Sequence, residues 1–197
     1  MKRDQNGFTL IELVIVISIM AILLGVLIPS FNSILGFEAQ KATKNIEAAL
    51  SKTKVEAMNR LVGEMKLEYR EDGYYITYYL DRGEESRSRS SLADQEIKIA
   101  NAKVNISYQL SDGIEVNMKE AVKSSLILTY NRDTGAFRPV QTDVLSPQAV
   151  QKAIDDVTNI PFLDSGKQCE WIKIQCGFRT RTIVLHQESG SYTVESN

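Results

Sequence analysis

The sequence predicts an α+β protein in which one long amino-terminal α-helix packs on a carboxy-terminal antiparallel β-sheet domain. The first observation is a run of 21 residues, Phe8 to Ile28, that contains a single charged residue. The second is a stretch in which apolar residues recur at steps of three and four, as on one face of a helix. The third is a series of short alternating segments separated by turn residues, which is typical of antiparallel strands.

The apolar run has the length of a membrane span. Its residues, rising about 1.5 Å each in a helix, extend roughly 30 Å, which is the thickness of the hydrocarbon core. Lys2 and Arg3 precede the run, so we expect the amino terminus to stay in the cytoplasm. A secretory signal peptide fits less well, because its apolar core is shorter and a small-residue cleavage site follows it. Glu12 lies one turn inside the run, where a carboxylate costs about 2.5–3.5 kcal/mol and needs a partner.

The helix is expected to continue beyond Pro29, so that one helix extends from Phe8 to about Leu61 over a length of roughly 80 Å. Proline has no amide donor, so Pro29 should kink the helix or open it locally. Gly63 is expected just past the helix end, where glycine is common. The apolar face consists of Ile34, Leu35, Ala39, Ala42, Ile46, Ala49, Leu50, Thr53, Ala57, Met58 and Leu61.

The remaining part of the chain predicts one β-rich domain. A hairpin is expected over Asp72-Gly73, and the tyrosines that follow it are expected in the core or at a sheet edge rather than on an adhesive surface. The polar segment 81–94 is expected to be a solvated loop, with an anion or DNA contact through its arginines as the alternative. Other strands are predicted at 96–100, 104–110, 114–118, 125–130, 136–138, 171–175, 180–186 and 192–195, and a short helix from Ser146 to about Asn159.

The stretch Gly7-Phe8-Thr9-Leu10-Ile11-Glu12, with the apolar run and Pro29, resembles the processing site of type IV prepilins and type II secretion pseudopilins. The resemblance implies a pilin-like fold, cleavage by a membrane peptidase after Gly7, and N-methylation of the new terminal Phe8. It also implies that Glu12 pairs with the terminal amine of a neighbouring subunit in a filament. The alternative is a plain membrane anchor that tolerates Glu12.

The resemblance implies four parts: a leader peptide at 1–7, a transmembrane and assembly helix at 8–29, an amphipathic continuation at 30–62, and a β-rich head domain at 63–197. The chain carries a net charge of −2, and removal of the leader, with Lys2, Arg3 and Asp4, leaves −3. This balance disfavours a protein that binds nucleic acid through its global charge, although a local basic patch is compatible with it.

Two later segments, at 126–135 and 177–185, are similar to the H-type minor pseudopilins and the fimbrial T-type minor pilins. Phe178 interrupts the Gly-Arg-x-Arg pattern that usually begins the second segment. Some members of that group act in DNA uptake, so Lys173, Arg179 and Arg181 could contact DNA phosphates. The alternative is that the two arginines are solvent-side residues that alternate with Ile183 and Leu185 along a strand.

Cys169 and Cys176 could form a disulfide in an extracytoplasmic domain. The residues between them would then have to turn, because an extended strand separates the two Cα atoms by about 23 Å and a disulfide allows about 4.4–6.8 Å. Reduced, buried thiols are the alternative. Because the sequence has one histidine, no metal site is expected. The sequence has no recognisable catalytic motif, so we expect no enzymatic activity, no cofactor and no small-molecule substrate.

We therefore expect a structural subunit, a minor one by the H-type resemblance, of a type IV pilus or type II secretion pseudopilus. The resemblance implies as partners other pilin or pseudopilin subunits, the prepilin peptidase, the cytoplasmic membrane and an assembly platform. It implies a single pass through the inner membrane with the head domain outside, and then a cell-surface or periplasmic filament. The alternatives are a DNA-binding tip subunit and an anchored extracytoplasmic domain without a filament role.

Overall fold

The computed structural model describes residues 9–81, 93–121, 125–146, 148–149, 162–163 and 165–196. The predicted α+β, pilin-like arrangement is confirmed: a long amino-terminal helix is followed by antiparallel sheets. The helix is α1 (Leu10–Asn59). The strands are β1 (Val62–Arg70), β2 (Gly73–Asp81), β3 (Ala93–Asn101), β4 (Asn105–Leu110), β5 (Glu115–Asn117), β6 (Ser125–Thr129), β7 (Cys169–Cys176), β8 (Arg179–His186) and β9 (Ser191–Ser196).

The outer half of α1 carries the apolar face that the spacing predicts. Its small and branched residues are buried because both sheets pack on this side of the helix. Two buried threonines on the same side satisfy their hydroxyls within the helix: Thr43 donates to the carbonyl of Ala39 and Thr53 to that of Ala49 (both 2.8 Å). Met58 departs from the prediction and is exposed. The buried apolar positions are Ala39, Ala42, Ile46, Ala49, Leu50 and Ala57.

Two expectations about α1 have different outcomes. The chain is α-helical from Leu10 to Asn59, so the helix does not open at Pro29, and the alternative, a kink of its axis, stays a prediction. Gly63 does not end the helix but lies in β1, and α1 is closed instead by Arg60, whose backbone N–H donates to the carbonyl of Glu56 (2.8 Å). The chain turns into an extended conformation at Arg60, which removes the need for a left-handed glycine.

The first sheet has the strand order β3-β2-β1-β6. The predicted hairpin is present, and its two-residue loop is Glu71-Asp72, one position earlier than expected, since Arg70 already pairs with Gly73. The side chains of Tyr74 and Tyr78 point into the core and are buried, while Tyr75 and Tyr79 on the opposite face are half-buried. The tyrosines therefore belong to the core and its edge, as predicted.

The second sheet has the order β5-β4-β7-β8-β9 and also contacts α1. A buried hydrogen bond links the two sheets, because the Ile106 backbone N–H in β4 donates to the Tyr74 hydroxyl in β2 (3.0 Å). The core thus lies between α1 and the inner faces of both sheets. The head is built from two sheets rather than from one continuous sheet.

Three smaller predictions have different outcomes. The strand expected at 136–138 is only an isolated bridge between Tyr130 and Phe137. Of the short helix expected after Ser146, residues 148–149 are helical, and the Ala149 N–H donates to the Ser146 hydroxyl (3.2 Å) as an N-cap bond requires. The rest of that helix and most of the polar loop, with Arg82, Arg87 and Arg89, lie outside the described residues.

Candidate functional site

The amino end of α1 is closed by a capping box. The hydroxyl of Thr9 accepts from the Glu12 backbone N–H (3.3 Å), and the Glu12 carboxylate accepts in return from the Thr9 backbone N–H (2.8 Å). The Thr9 hydroxyl also donates to the same carboxylate oxygen, Oε2 (2.8 Å). Glu12 therefore has partners within its own chain at the positive end of the helix. This capping role was not predicted from the sequence, although Thr-x-x-Glu is the pattern that signals it.

The helix beyond this cap is apolar on every side and exposed on every side. All side chains from Leu10 to Gly25 are solvent-exposed, and apart from Glu12 the polar exception is Ser18, whose hydroxyl donates to the carbonyl of Val14 (2.7 Å). This surface is larger than the apolar patches that soluble monomers expose. It therefore requires a covering of lipid or protein.

Counting only the residues that the structure describes, no helix has both the length and the hydropathy that a membrane span requires. The predicted cleavage residues Gly7 and Phe8 lie outside that part of the chain. Pro29 lies within α1, and the cleavage, methylation and assembly roles of these residues stay predictions.

The three basic residues expected to contact DNA do not form one patch. Lys173 lies on the outer face of the second sheet, where its ammonium group contacts the Glu115 carboxylate (3.0 Å) and the Trp171 ring (4.4 Å to the centroid). Arg181 pairs with Ile174, and paired residues of neighbouring strands share a face, so Arg181 lies on the face that packs towards α1.

Arg179 lies on the same inner face and extends to the helix: a Cβ at Gly36 would lie 3.5 Å from its Cγ. The expectation that the two arginines alternate with Ile183 and Leu185 is therefore wrong. All four positions are odd-numbered in one strand, so their side chains point to the same face.

Of the two alternatives for the cysteines, the structure has the reduced, buried thiols. Cys169 and Cys176 are free thiols at opposite ends of β7, which is extended over its whole length. Seven residue steps of strand hold them about 23 Å apart. Both side chains are buried, and burial raises the pKa of the Cys169 thiol to about 12. The two residues are therefore inert core side chains rather than a covalent link.

The histidine and the carboxylates of the described residues do not converge on a metal-binding group of three or more ligands. His186, on β8, has its Nε2 atom 3.3 Å from the Thr193 hydroxyl across the neighbouring strand. This contact is between exposed side chains of one hairpin and belongs to the sheet surface.

Comparison with known proteins identifies the amino-terminal segment. Residues 2–28 match the family model described as the prokaryotic N-terminal methylation motif. No curated protein and no solved structure matches the chain closely enough to support an inference.

Proteins with this motif are structural rather than catalytic. They assemble with other pilin subunits after processing by a prepilin peptidase, and the motif indicates anchoring in a membrane and a place in a surface or periplasmic filament. The matched segment, residues 2–28, includes Glu12 and the exposed stretch of α1 from Leu10 to Gly25. The chain therefore carries the prokaryotic N-terminal methylation motif that is characteristic of type IV pilins and pseudopilins.

Proposed function

We propose that this chain is a minor structural subunit of a type IV pilus or type II secretion pseudopilus. The observation that carries the proposal is the apolar surface of α1, exposed on all sides in the same helix that begins with the methylation motif. In the proposed pathway, cleavage after Gly7 removes the leader, Phe8 is N-methylated, and the run to Ile28 anchors the chain in the cytoplasmic membrane with its head outside. Assembly then moves α1 from lipid into a bundle of like helices.

Glu12 has a specific role in this proposal. Its carboxylate is held by Thr9 within the single chain, and only Oε2 receives those bonds. In the filament we infer that it turns to the terminal amine of a neighbouring subunit. Two opposite charges that meet in a helix bundle lose much of their hydration, so their pairing contributes more to register than to net stability. A subunit without this carboxylate should reach the membrane but enter the filament poorly.

The DNA-binding alternative has less support. Lys173 lies on the opposite face of the second sheet from Arg179 and Arg181, and its charge is already paired with Glu115. Phosphate contacts along one nucleic-acid backbone require basic groups on one surface. We therefore favour a role in filament assembly over a role in DNA binding.

The test is mass spectrometry of the amino terminus in two fractions, the cell membranes and the sheared surface or periplasmic filaments. A chain that begins at methylated Phe8 in the filament fraction supports the proposal, and a small amount relative to other subunits supports a minor position. An intact Met1 confined to membranes would overturn the proposal and leave an anchored domain.

A second arm of the experiment compares Glu12→Gln with Glu47→Gln. Both substitutions remove one carboxylate from α1, but Glu47 lies in the outer half of the helix, away from the motif. Glu12→Gln should be processed and retained in membranes yet depleted from filaments, while Glu47→Gln should enter filaments normally. Equal incorporation of the two variants would refute the assembly role of Glu12.

A further inference from the structure

Strand β8 lies alongside α1 and runs in the same direction. At its start, the Arg179 side chain lies beside Gly36 of the helix, where an added Cβ would be 3.5 Å from its Cγ, and beyond its end the Lys54 ammonium group donates to the carbonyl of Ser189 (2.8 Å). The helix rises about 27 Å between positions 36 and 54. The ten residue steps from 179 to 189 extend at most about 33 Å. Since the two lengths are similar, the strand follows the helix axis, and the turn between β7 and β8 is at the end of the head that faces the apolar half of α1.

This turn exposes a large aromatic side chain. Phe178 is 91% exposed, the highest value among the large apolar side chains that the structure describes. Its neighbour Gly177 has a φ of 59°, the left-handed conformation that a tight turn requires. Phe37 of α1, next to Gly36, is also exposed, at 66%. Two phenylalanines are thus presented at the end of the head nearest the apolar run.

The same end of the head carries basic side chains. Arg179 and Lys103 are exposed, and Lys119 donates to the carbonyl of Ala102 (2.6 Å), which ties two turns together there. The charges of Lys103 and Lys119 act on the thiol of Cys176 at the end of β7, and so does that of Glu38. Glu120 is a second carboxylate at this end, where it accepts from the Asn117 side chain (2.9 Å). These basic groups share this end of the head with carboxylates, since the loop Glu71-Asp72 adjoins the same turn through the Gly73–Asn101 pair and Asp72 is paired with Lys98 (2.6 Å).

The distance of this surface from the end of the apolar run matches the position of the membrane interface. Gly36 lies eight residues beyond Ile28, which is about 12 Å along the helix from the end of the apolar run. The turn at 177–178 extends farther towards the apolar run than Arg179 does, because it lies beyond the last strand pair, Cys176 with Arg179. The headgroup region adds about 5–8 Å outside the hydrocarbon core, and the tilt of about 20° that is usual for a membrane helix brings one side of the head closer still.

We propose that the base of the head, formed by Phe37, Lys103, Phe178 and Arg179, rests on the surface of the membrane that holds α1. The inference depends on the proposed membrane anchoring. In it, the Phe178 ring enters the boundary between headgroups and acyl chains, and Arg179 and Lys103 face anionic lipid phosphates. The occupant is lipid because this surface continues the apolar half of α1 and presents the exposed ring of Phe178 beside the exposed Arg179. The contact fixes the orientation of the head before assembly, and extraction of α1 breaks it.

The experiment places a single tryptophan at the base of the head in the full-length chain. In a Trp171→Phe background, Phe178→Trp supplies the probe, and Ile114→Trp supplies a matched control. Ile114 is also exposed but follows the opposite end of β4, at the far end of the head. Both proteins are reconstituted in vesicles of phosphatidylethanolamine and phosphatidylglycerol, with and without acyl chains brominated near the headgroup.

The proposal predicts a blue-shifted emission for the tryptophan at 178 and a loss of its intensity in brominated vesicles, with neither effect at position 114. Both effects should weaken in vesicles of phosphatidylcholine alone and after Arg179→Gln. Equal emission and quenching at the two positions, in protein that floats with the vesicles, would overturn the inference and leave the anchor intact. Protein that does not float with the vesicles would overturn the anchor itself, and the inference with it.

A protein partner at the same surface would give a different result. If the blue shift at 178 disappears when the protein is diluted in excess lipid, and bromine does not quench it, a second copy of the chain covers Phe178. That outcome would overturn the lipid contact. Quenching that does not depend on the ratio of protein to lipid supports it.

Discussion

Gly63 in β1 lies directly against Ala57 in α1, so closely that a Cβ at position 63 would be 2.4 Å from the Ala57 amide nitrogen. The clash would involve the Ala57 Cα (2.6 Å) and the Glu56 carbonyl carbon (2.9 Å) as well. These are backbone atoms of a helix, which no side-chain rotation can move away. The absence of a side chain at Gly63 is therefore what lets the first strand approach the end of the helix.

Gly63→Ala should destabilise the head by about 3 kcal/mol or more, since overpacking usually costs about 1–3 kcal/mol and here the backbone itself must move. Chemical unfolding of the detergent-solubilised chain, followed by Trp171 fluorescence, measures the change. Gly36→Ala is the control, because its Cβ would lie at an ordinary 3.5 Å from Arg179 and alanine favours the helix by about 1 kcal/mol. A Gly63→Ala protein as stable as the control would contradict this account of the packing.

Tyr74→Phe tests the hydrogen bond that links the two sheets. Its hydroxyl is the partner of the buried Ile106 amide, and a buried donor left without a partner costs about 1–3 kcal/mol. We expect the variant to lose that much stability and to exchange the Ile106 amide hydrogen faster. Tyr75→Phe removes a hydroxyl that donates to Asp72 on the surface (2.6 Å), and its effect should stay within about 0.5 kcal/mol. Similar losses of stability in both variants would show that the hydrogen bond between the sheets contributes no more than a surface hydrogen bond.

Glu64 should make the stability of the head depend on pH. The side chain is fully buried in β1, and burial raises the pKa of its carboxyl from the ordinary 4.5 to about 7, although the Leu145 N–H donates to it (3.0 Å). Between those two values the folded chain keeps a proton that the unfolded chain has released. The free energy of unfolding therefore falls as the pH rises from about 4.5 to 7, by about 3 kcal/mol in total.

Glu64→Gln should remove this dependence, because glutamine can still accept the Leu145 bond and has no proton to lose. The variant should match the original chain near pH 4 and exceed its stability above pH 7 in unfolding experiments across this range. The control is Glu96→Gln, since Arg70 lowers the pKa of that exposed carboxyl by hydrogen bonding. Persistence of the original slope in Glu64→Gln would assign the pH dependence to another group.

The cysteines should remain thiols under oxidising conditions. Cys169 and Cys176 are buried at opposite ends of one strand, and burial raises the pKa of both. We expect slow alkylation of the native chain at pH 8, two alkylated sites after denaturation, and no intramolecular bond after treatment with a mild oxidant. Mass spectrometry of the alkylated protein gives the count. An intramolecular Cys169–Cys176 bond in the native protein would require β7 to be broken.

The sequence alone was sufficient for features that depend on neighbouring residues. A single charge in a long apolar run identified the exposed half of α1, and the helical spacing identified Ala39, Ala42, Ile46 and Leu50 as buried. Alternation and turn residues placed most of the strands, because side-chain period and turn chemistry are local properties of the chain. The methylation motif could be recognised for the same reason, since its residues are contiguous. The sequence also contained the information that Arg179, Arg181 and Ile183 share one face, because all three are odd-numbered positions of one strand.

The tertiary structure decided how distant segments meet. The approach of Gly63 to Ala57, the bond between Tyr74 and Ile106 and the burial of Glu64 beside Leu145 each depend on packing between separate elements. The division of the strands into two sheets and the alignment of β8 with α1 depend on register and packing, which a local pattern does not encode. That alignment is also what separates Lys173 from the two arginines and places Phe178 at the base of the head. Periodicity specifies which residues are buried. Only the folded chain specifies which residues they pack against, because these contacts join residues that are far apart in sequence.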